Sequence, residues 1–416
     1  MVKLMSSGLA DNVRKFRRAV GLSQEGLAHE SGLSVGVVRK LEQGGDARVE
    51  TLHALARVLG VTTSALFATE APQPVVGDEA NRRYLVELRK ALMPPIGLGC
   101  APLTDLGEAV DLSALRRDIA DIHALYHADR FGSVARKLPG LLRAAEATVS
   151  TVEGEQHQQA MVVRAHALLM AGKYLTQVRQ YDMAYFALAE SIRLARESGE
   201  RLMATTGVVG LCWLLLRQDR FDECEQLAAA TAAETEPRLS DASAGQLAVW
   251  GELWLRVASA TVRNNRPDVA RDARRMAGTA AVALEREFAV FGETWGQFGP
   301  VTAELKVVED LSITGDARGV LRRSDEGVLS QKSVNHYGKP SPPNWGRHRL
   351  DVAKAHITLG SHEDALGELK QLRHSSGQWL KHQPMARYVM SDLLKTRKRT
   401  LTEEMREMAS HLGIQE

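Results

Sequence analysis

From Asn81 onward the sequence carries no sustained alternation of apolar and polar residues, while Ala, Leu, Arg and Glu recur three and four positions apart. That period builds helices with one apolar face and leaves no pattern that a sheet could use. Breaks at PPIGLGCAP, TEPRLSD and YGKPSPPN interrupt the run. Along it a turn is followed, three positions on, by a small or short apolar residue. The instances are Phe131 with Val134, Tyr181 with Ala184, Phe221 with Cys224, Pro267 with Ala270, Ala317 with Val320 and His362 with Ala365, roughly 40 to 50 residues apart. A small side chain is needed there because the second helix of a pair must cross close to the first. Residues 81 to 416 are therefore expected to form a superhelix of stacked helical hairpins, with Cys224 a packing residue.

The first 70 residues follow another plan. Leu9, Val13, Phe16 and Val20 share one face of a first helix, and Arg14, Arg17 and Arg18 project from its other sides toward solvent or phosphate. Ser23 can cap a second helix with Leu27 and Ala28 facing inward, Gly32 permits a sharp turn, Leu33 plugs the junction, and Ser34 can cap a third helix pinned by Val38 and Leu41. Leu52, Leu55, Ala56 and Leu59 form a further stripe ended by Gly60, and Leu66 and Phe67 close the small core. From Ala68 to Glu79, ATEAPQPVVGDE loses periodicity and gains Pro and Gly. The expected division is a five-helix head at 1–68, a linker at 69–80 and a helical body at 81–416, all-α throughout.

The series SQEGLA, SGLS, VVRKLEQG and TLHALARVLGV resembles the Xre-type helix-turn-helix. That resemblance implies a helix in the major groove of double-stranded DNA, with Ser34, Val35, Gly36, Arg39 and Lys40 at base edges or nearby phosphates and Gln24 on a phosphate. Arg14 and Arg18 are expected to assist from the first helix. Val35 can only touch a thymine methyl, whereas Arg39 and Lys40 can read guanine or hold phosphate. Gly26 and Gly36 each cost about 1 kcal/mol of helix stability relative to Ala. One head buries too little surface for tight specific binding, so a homodimer on a near-palindromic site is expected, with DNA shape adding to specificity.

The body resembles degenerate tetratricopeptide repeats, at a spacing longer than the standard repeat of about 34 residues. Head and body together resemble an actinobacterial family of regulators, with WGQFGPVTAELKVVEDLSITGDA, RLDVAKAHITLGSHEDALGEL and HQPMARYVMSDLL similar to that family's C-terminal half. This likeness implies signal-dependent control of transcription without naming the signal.

Charge fits the division. The chain has 53 Lys and Arg against 51 Asp and Glu. Residues 1–70 hold 9 basic and 7 acidic side chains, leaving 44 of each sign for the remainder, so the body is no general polyanion binder. Cys100, Cys212 and Cys224 are too few and scattered for a disulfide framework or a zinc site. With no signal peptide in MVKLMSSGLADNV and no apolar run of about 18 residues, the expected setting is a bacterial cytoplasm, without a membrane partner.

The effector groove is expected on the first helix of each pair. Trp250 and Trp254 lie four apart on one such helix, and Trp295 and Phe298 are expected on the next; with Arg256, Gln297 and Tyr174 they are candidates for an aromatic-walled pocket. Peptide clamps often use asparagines, and the body offers few, chiefly Asn264, Asn265, Asn335 and Asn344, which favours a small organic effector over a peptide. His123 and His127 share a helix face but lack a third metal ligand, so they read as a surface or packing pair. Gly97 and Gly99 lack the context of a phosphate loop, and Lys395, Arg397, Lys398 and Arg399 read as a solvated helix end. No cofactor and no catalysis are expected. The competing readings are an interaction scaffold whose repeats bind a protein partner, and a helical enzyme using metal on His123 and His127.

Overall fold

The computed structural model describes residues 6–45, 47–61, 63–66, 79–95, 98, 109, 111–238, 240–291, 296–396 and 402–414. Phe67, Gly97, Gly99, Cys100, Trp295, Arg397, Lys398, Arg399 and most of the expected linker lie outside them. Five helices build the head: α1 (Ser6–Ala19), α2 (Gln24–Ser31), α3 (Val35–Glu42), α4 (Val49–Val58) and α5 (Thr63–Leu66). Val13, Leu27, Ala28, Val38, Leu41, Leu52, Leu55 and Leu66 form their common core. Ser23 Oγ accepts from the Gly26 N–H and Ser34 Oγ from the Val37 N–H, so each hydroxyl satisfies a donor that its helix leaves orphaned. Gly32, at φ 68°, makes the turn between them. Val20 departs from the expected stripe: α1 ends at Ala19 and leaves this side chain exposed.

The body runs from α6 (Glu79–Leu92), which begins inside the stretch expected as linker. Its hairpins are α7 (Leu112–His127) with α8 (Phe131–Thr151), α9 (Gly154–Gln177) with α10 (Tyr181–Glu197), α11 (Arg201–Arg217) with α12 (Phe221–Glu234), and α13 (Ala244–Arg263) with α14 (Pro267–Leu284). They continue as α15 (Pro300–Thr314) with α16 (Ala317–Arg323), then, after the short α17 (Gln331–Tyr337), α18 (Pro342–Thr358) with α19 (His362–Lys381), and α20 (Pro384–Thr396) with α21 (Glu403–His411). Phe131, Tyr181, Phe221, Pro267, Ala317 and His362 are each the first residue of a second helix. The residue three positions on is buried in every case, and Val134, Ala184, Cys224, Val320 and Ala365 are 0% exposed. Two residues before each helix start the backbone is left-handed, at Asp129, Arg179, Asp219, Asn265, Gly315 and Gly360. One turn geometry therefore serves six hairpins.

The first helices touch one another in succession, α7 with α9, α9 with α11, α11 with α13, α13 with α15, α15 with α18 and α18 with α20, while the second helices make no comparably close series. The first helices thus line the inside of the curve. Late in the chain the curve returns toward its start: both Asp129 carboxylate oxygens accept backbone N–H groups, from Gln378 and Trp379, at 2.6 Å each. Those donors are free because α19 kinks at Ser376 (φ −150°, ψ 50°).

One expectation about the body is corrected. Gln297 and Phe298 do not continue a helix; they form strand β2 (Gln297–Phe298), antiparallel to β1 (Phe288–Ala289). The helix starts only at Pro300, whose fixed φ suits the first helical position. No helix among the described residues is long and apolar enough to cross a membrane.

Candidate nucleic-acid interface and the interior of the body

The outer face of the head is held in shape by a buried carboxylate. Glu42, 3% exposed, receives Arg17 Nε at 2.6 Å and Nη2 at 3.1 Å and Gln24 Nε2 at 2.7 Å. Burial alone would raise its pKa, but the Arg17 and Gln24 hydrogen bonds outweigh it and hold the carboxyl below its ordinary value. Arg14 donates to the Glu42 carbonyl and to Asp11. Gln24 and Arg14, expected at phosphates, are thus engaged by groups of the head and tie α1 and α2 to the end of α3, with 38% of the Arg14 side chain still exposed. Glu42 escaped the sequence reading, although its step from Val38 places it on the buried face of α3.

The rest of the expected set divides by exposure. Ser34, Gly36, Arg39, Lys40 and Arg18 are exposed, while Val35 is half-buried against the head core. Arg39 Nη2 lies 2.8 Å from Glu25 Oε1 with both side chains more than half exposed. Hydrogen bonds from its own backbone and from Arg39 lower the Glu25 pKa. An exposed pair of this kind is weak, so Arg39 can leave Glu25 for a guanine edge or a phosphate.

Through α4 and α5 the head also sits on the body. The Thr63 N–H donates to Asp219 Oδ2 at 2.8 Å, and the His53 ring meets Phe221 edge-on with centroids 4.8 Å apart. His53 Nδ1 and Thr63 Oγ1 are 2.5 Å apart, and burial, with a contribution from Arg263, depresses the imidazole to about 3. Thus the turn between α11 and α12 receives α4 and α5. Two cavities, of about 190 and 200 Å³, flank this contact, and Glu50 Oε2 is buried there without a hydrogen-bond partner. The junction is a docked surface and not a filled core.

Of the candidates for the aromatic pocket, Trp295 lies outside the described residues, while Trp250, Phe298 and Tyr174 are buried in the body's large core and Trp254 packs against it. Trp250 is 4% exposed and its Nε1 donates to the Ala232 carbonyl. It stands edge-on to Trp254 at 6.1 Å and borders a cavity of about 290 Å³. Phe298 is 1% exposed because Gly251 admits its ring against α13, where a Cβ would lie 2.2 Å from the ring. Tyr174 is buried in the same large core, where it stands edge-on to Phe131, and burial raises its pKa. Gln297 pairs with Ala289 in the strands. Arg256 does reach the interior but is neutralised by Glu252 at 2.7 Å. Those burials depend on the facing element, which periodicity alone does not report.

His123 and His127 face a lysine. Lys173 Nζ is 2.9 Å from His123 Nε2 and 3.3 Å from His127 Nε2, and lies 4.6 Å from the Tyr126 ring centre. Burial lowers the Lys173 pKa to about 7. An ammonium at that position opposes a metal cation. Cys224 packs as expected, its Sγ 3.5 Å from the Cys212 carbonyl.

Residues 13–66 match the helix-turn-helix family model. No curated protein matches the chain. The matched span covers α2 to α5 and the second half of α1, and with the exposed face of α3 it supports a DNA-binding regulator.

Proposed function

We propose that this chain is a homodimeric transcriptional regulator whose head reads an operator and whose body, resembling tetratricopeptide repeats, dimerises and binds a regulatory small molecule or peptide. The observation that carries the reading is the two-sided placement of the head: α3 presents Ser34, Gly36, Arg39 and Lys40 outward, while α4 and α5 rest on the α11–α12 turn. A shift of the first helices is thereby felt at the head. The effector acts only if it binds one arrangement of head and body more tightly than the other. Two heads on one pseudo-palindromic site supply the contact area that one lacks.

The test is binding of the full chain to DNA upstream of its own gene at increasing salt, with stoichiometry measured by sedimentation. Two chains per site, with affinity falling steeply with salt, is the expected result. One chain per site contradicts the dimer, and absence of binding at every salt concentration contradicts the regulator.

A further inference from the structure

The interior of the body holds a set of arginines that the fold leaves without a carboxylate at salt-bridge distance among the described residues. Most half-buried arginines there sit on a carboxylate: Arg164 on Glu146, Arg256 on Glu252, Arg263 on Glu309, Arg274 on Asp310 and Arg349 on Glu368. Arg179, Arg217, Arg347 and Arg387 have no carboxylate within salt-bridge distance among the described residues, and they lie close enough to act on one another or on a shared neighbour. Arg217 and Arg347 both lie over the Trp213 ring, at 5.7 and 5.3 Å from its centre. Burial, and then Arg217, depresses Arg347 to about 10. Arg179 opposes the charge on both Arg217 and Arg387, and His382, at the end of α19, is held near 4 by burial and by Arg387, Arg217, Lys381 and Arg179.

The hydrogen bonding of these arginines is only partial: Arg179 Nε donates to Tyr181 Oη at 3.2 Å, Arg347 Nη1 to Asn344 Oδ1 at 3.4 Å and Arg387 Nη2 to the Lys381 carbonyl at 3.3 Å. Arg217 Nε and Nη2 and Arg387 Nε are buried without a partner. So are both amide atoms of Gln177, the last residue of α9, which is 0% exposed. A buried amide with neither its donor nor its acceptor satisfied is rare, and unpaired guanidinium groups are costly to bury. The contacts to Trp213 offset only part of that cost.

We infer that Gln177, Arg179, Arg217, Arg347 and Arg387 form the binding site of a small polyanion, a phosphate- or carboxylate-bearing compound with at least two negative charges. This rests on the reading that the body holds an effector, and it moves that effector away from the aromatic residues of α13. The anion neutralises the arginines, and Gln177 takes a polar edge of the ligand. A compact ligand fits better than an extended peptide, because the body closes on itself beside the cluster through Asp129 with Gln378 and Trp379, and through Phe131 with His382 at 6.0 Å. The site also has a line to the head. Arg347 feels Glu309, Glu309 receives Arg263 at 2.6 Å, Arg263 feels Asp219, and Asp219 holds Thr63.

The experiment is calorimetric titration and thermal melting of the full chain in a low-salt buffer free of phosphate and citrate, with inorganic pyrophosphate and, separately, citrate as probes. Saturable binding is expected with at least one probe, with Tm rising by about 3 °C at a hundredfold excess over Kd. Binding by pyrophosphate alone identifies a phosphate ligand, and by citrate alone a carboxylate. Arg217→Gln and Arg347→Gln each weaken binding at least tenfold, whereas Arg193→Gln, on an exposed outer face, leaves it unchanged. Without anion Arg217→Gln melts above the parent, because a repulsion is removed; a merely structural arginine would melt below it. No saturable binding of either probe, or equal binding by the parent and both interior variants, overturns the site. Loss of the site leaves DNA binding by the head standing, while anion binding that does not alter DNA affinity upholds the site and removes its regulatory role.

Discussion

Glu42 serves the head from inside, and its removal separates structure from contact with DNA. Glu42→Ala leaves the largely buried Arg17 without its carboxylate, with only the Leu22 carbonyl still accepting from it, which costs about 3–5 kcal/mol. The expected outcome is a head that melts early while the body's transition is unchanged; a single unaltered transition in calorimetry contradicts it. The Glu42 pKa is lowered in the fold, so its contribution is present above the ordinary carboxylate range and lost as pH falls below it. His53 titrates in the same sense at the junction. Its pKa is depressed to about 3, so docking is full above about pH 6.5 and weakens as pH falls from there toward 3, by up to tenfold per unit. Energy transfer between labels on α4 and α12 should therefore fall between pH 7 and pH 5; an unchanged signal contradicts the docked, neutral imidazole.

At the level of the elements, the hairpin turn is the repeated unit, and its demands are local. Gly315 and Gly360 sit at φ 83° in turns where other hairpins use Asp, Arg or Asn. Gly360→Ala is expected to lose about 1–2 kcal/mol, while Asn265→Gly is nearly neutral or slightly stabilising; equal melting shifts for the two would contradict a left-handed requirement. Ala184→Leu, at a position with 0% exposure between α9 and α10, should cost about 1–3 kcal/mol by overpacking. These features were legible in the sequence because a turn and a small residue three positions on are written in consecutive residues. Residues such as Phe298, Trp250 and Gln24 were not legible, because their surroundings come from elsewhere: the gap above Gly251, the Ala232 carbonyl, and Glu42 across the head. The unpaired arginines were hidden for the same reason. A balanced count of 44 basic and 44 acidic residues outside the head says nothing of which charges meet.

For the whole molecule, function depends on how the head is carried. The outward helix α3, with Arg39 and Lys40 exposed, is followed in the chain by the two helices that dock. Asp219→Ala removes the acceptor for the Thr63 N–H and is expected to speed proteolysis between head and body several-fold without changing the melting of the body; an unaltered cleavage rate contradicts the docking contact. The head was readable from capping serines, Gly32 and apolar spacing. Its seat on the α11–α12 turn was not, because that contact joins residues 156 positions apart. The most direct test of the central claim is genomic footprinting of the purified full chain beside its Arg39→Ala and Lys40→Ala variants. Discrete sites with two-fold symmetry that weaken or vanish in both variants are the predicted result; no enrichment for the parent at any salt concentration, or identical footprints for all three proteins, would contradict it.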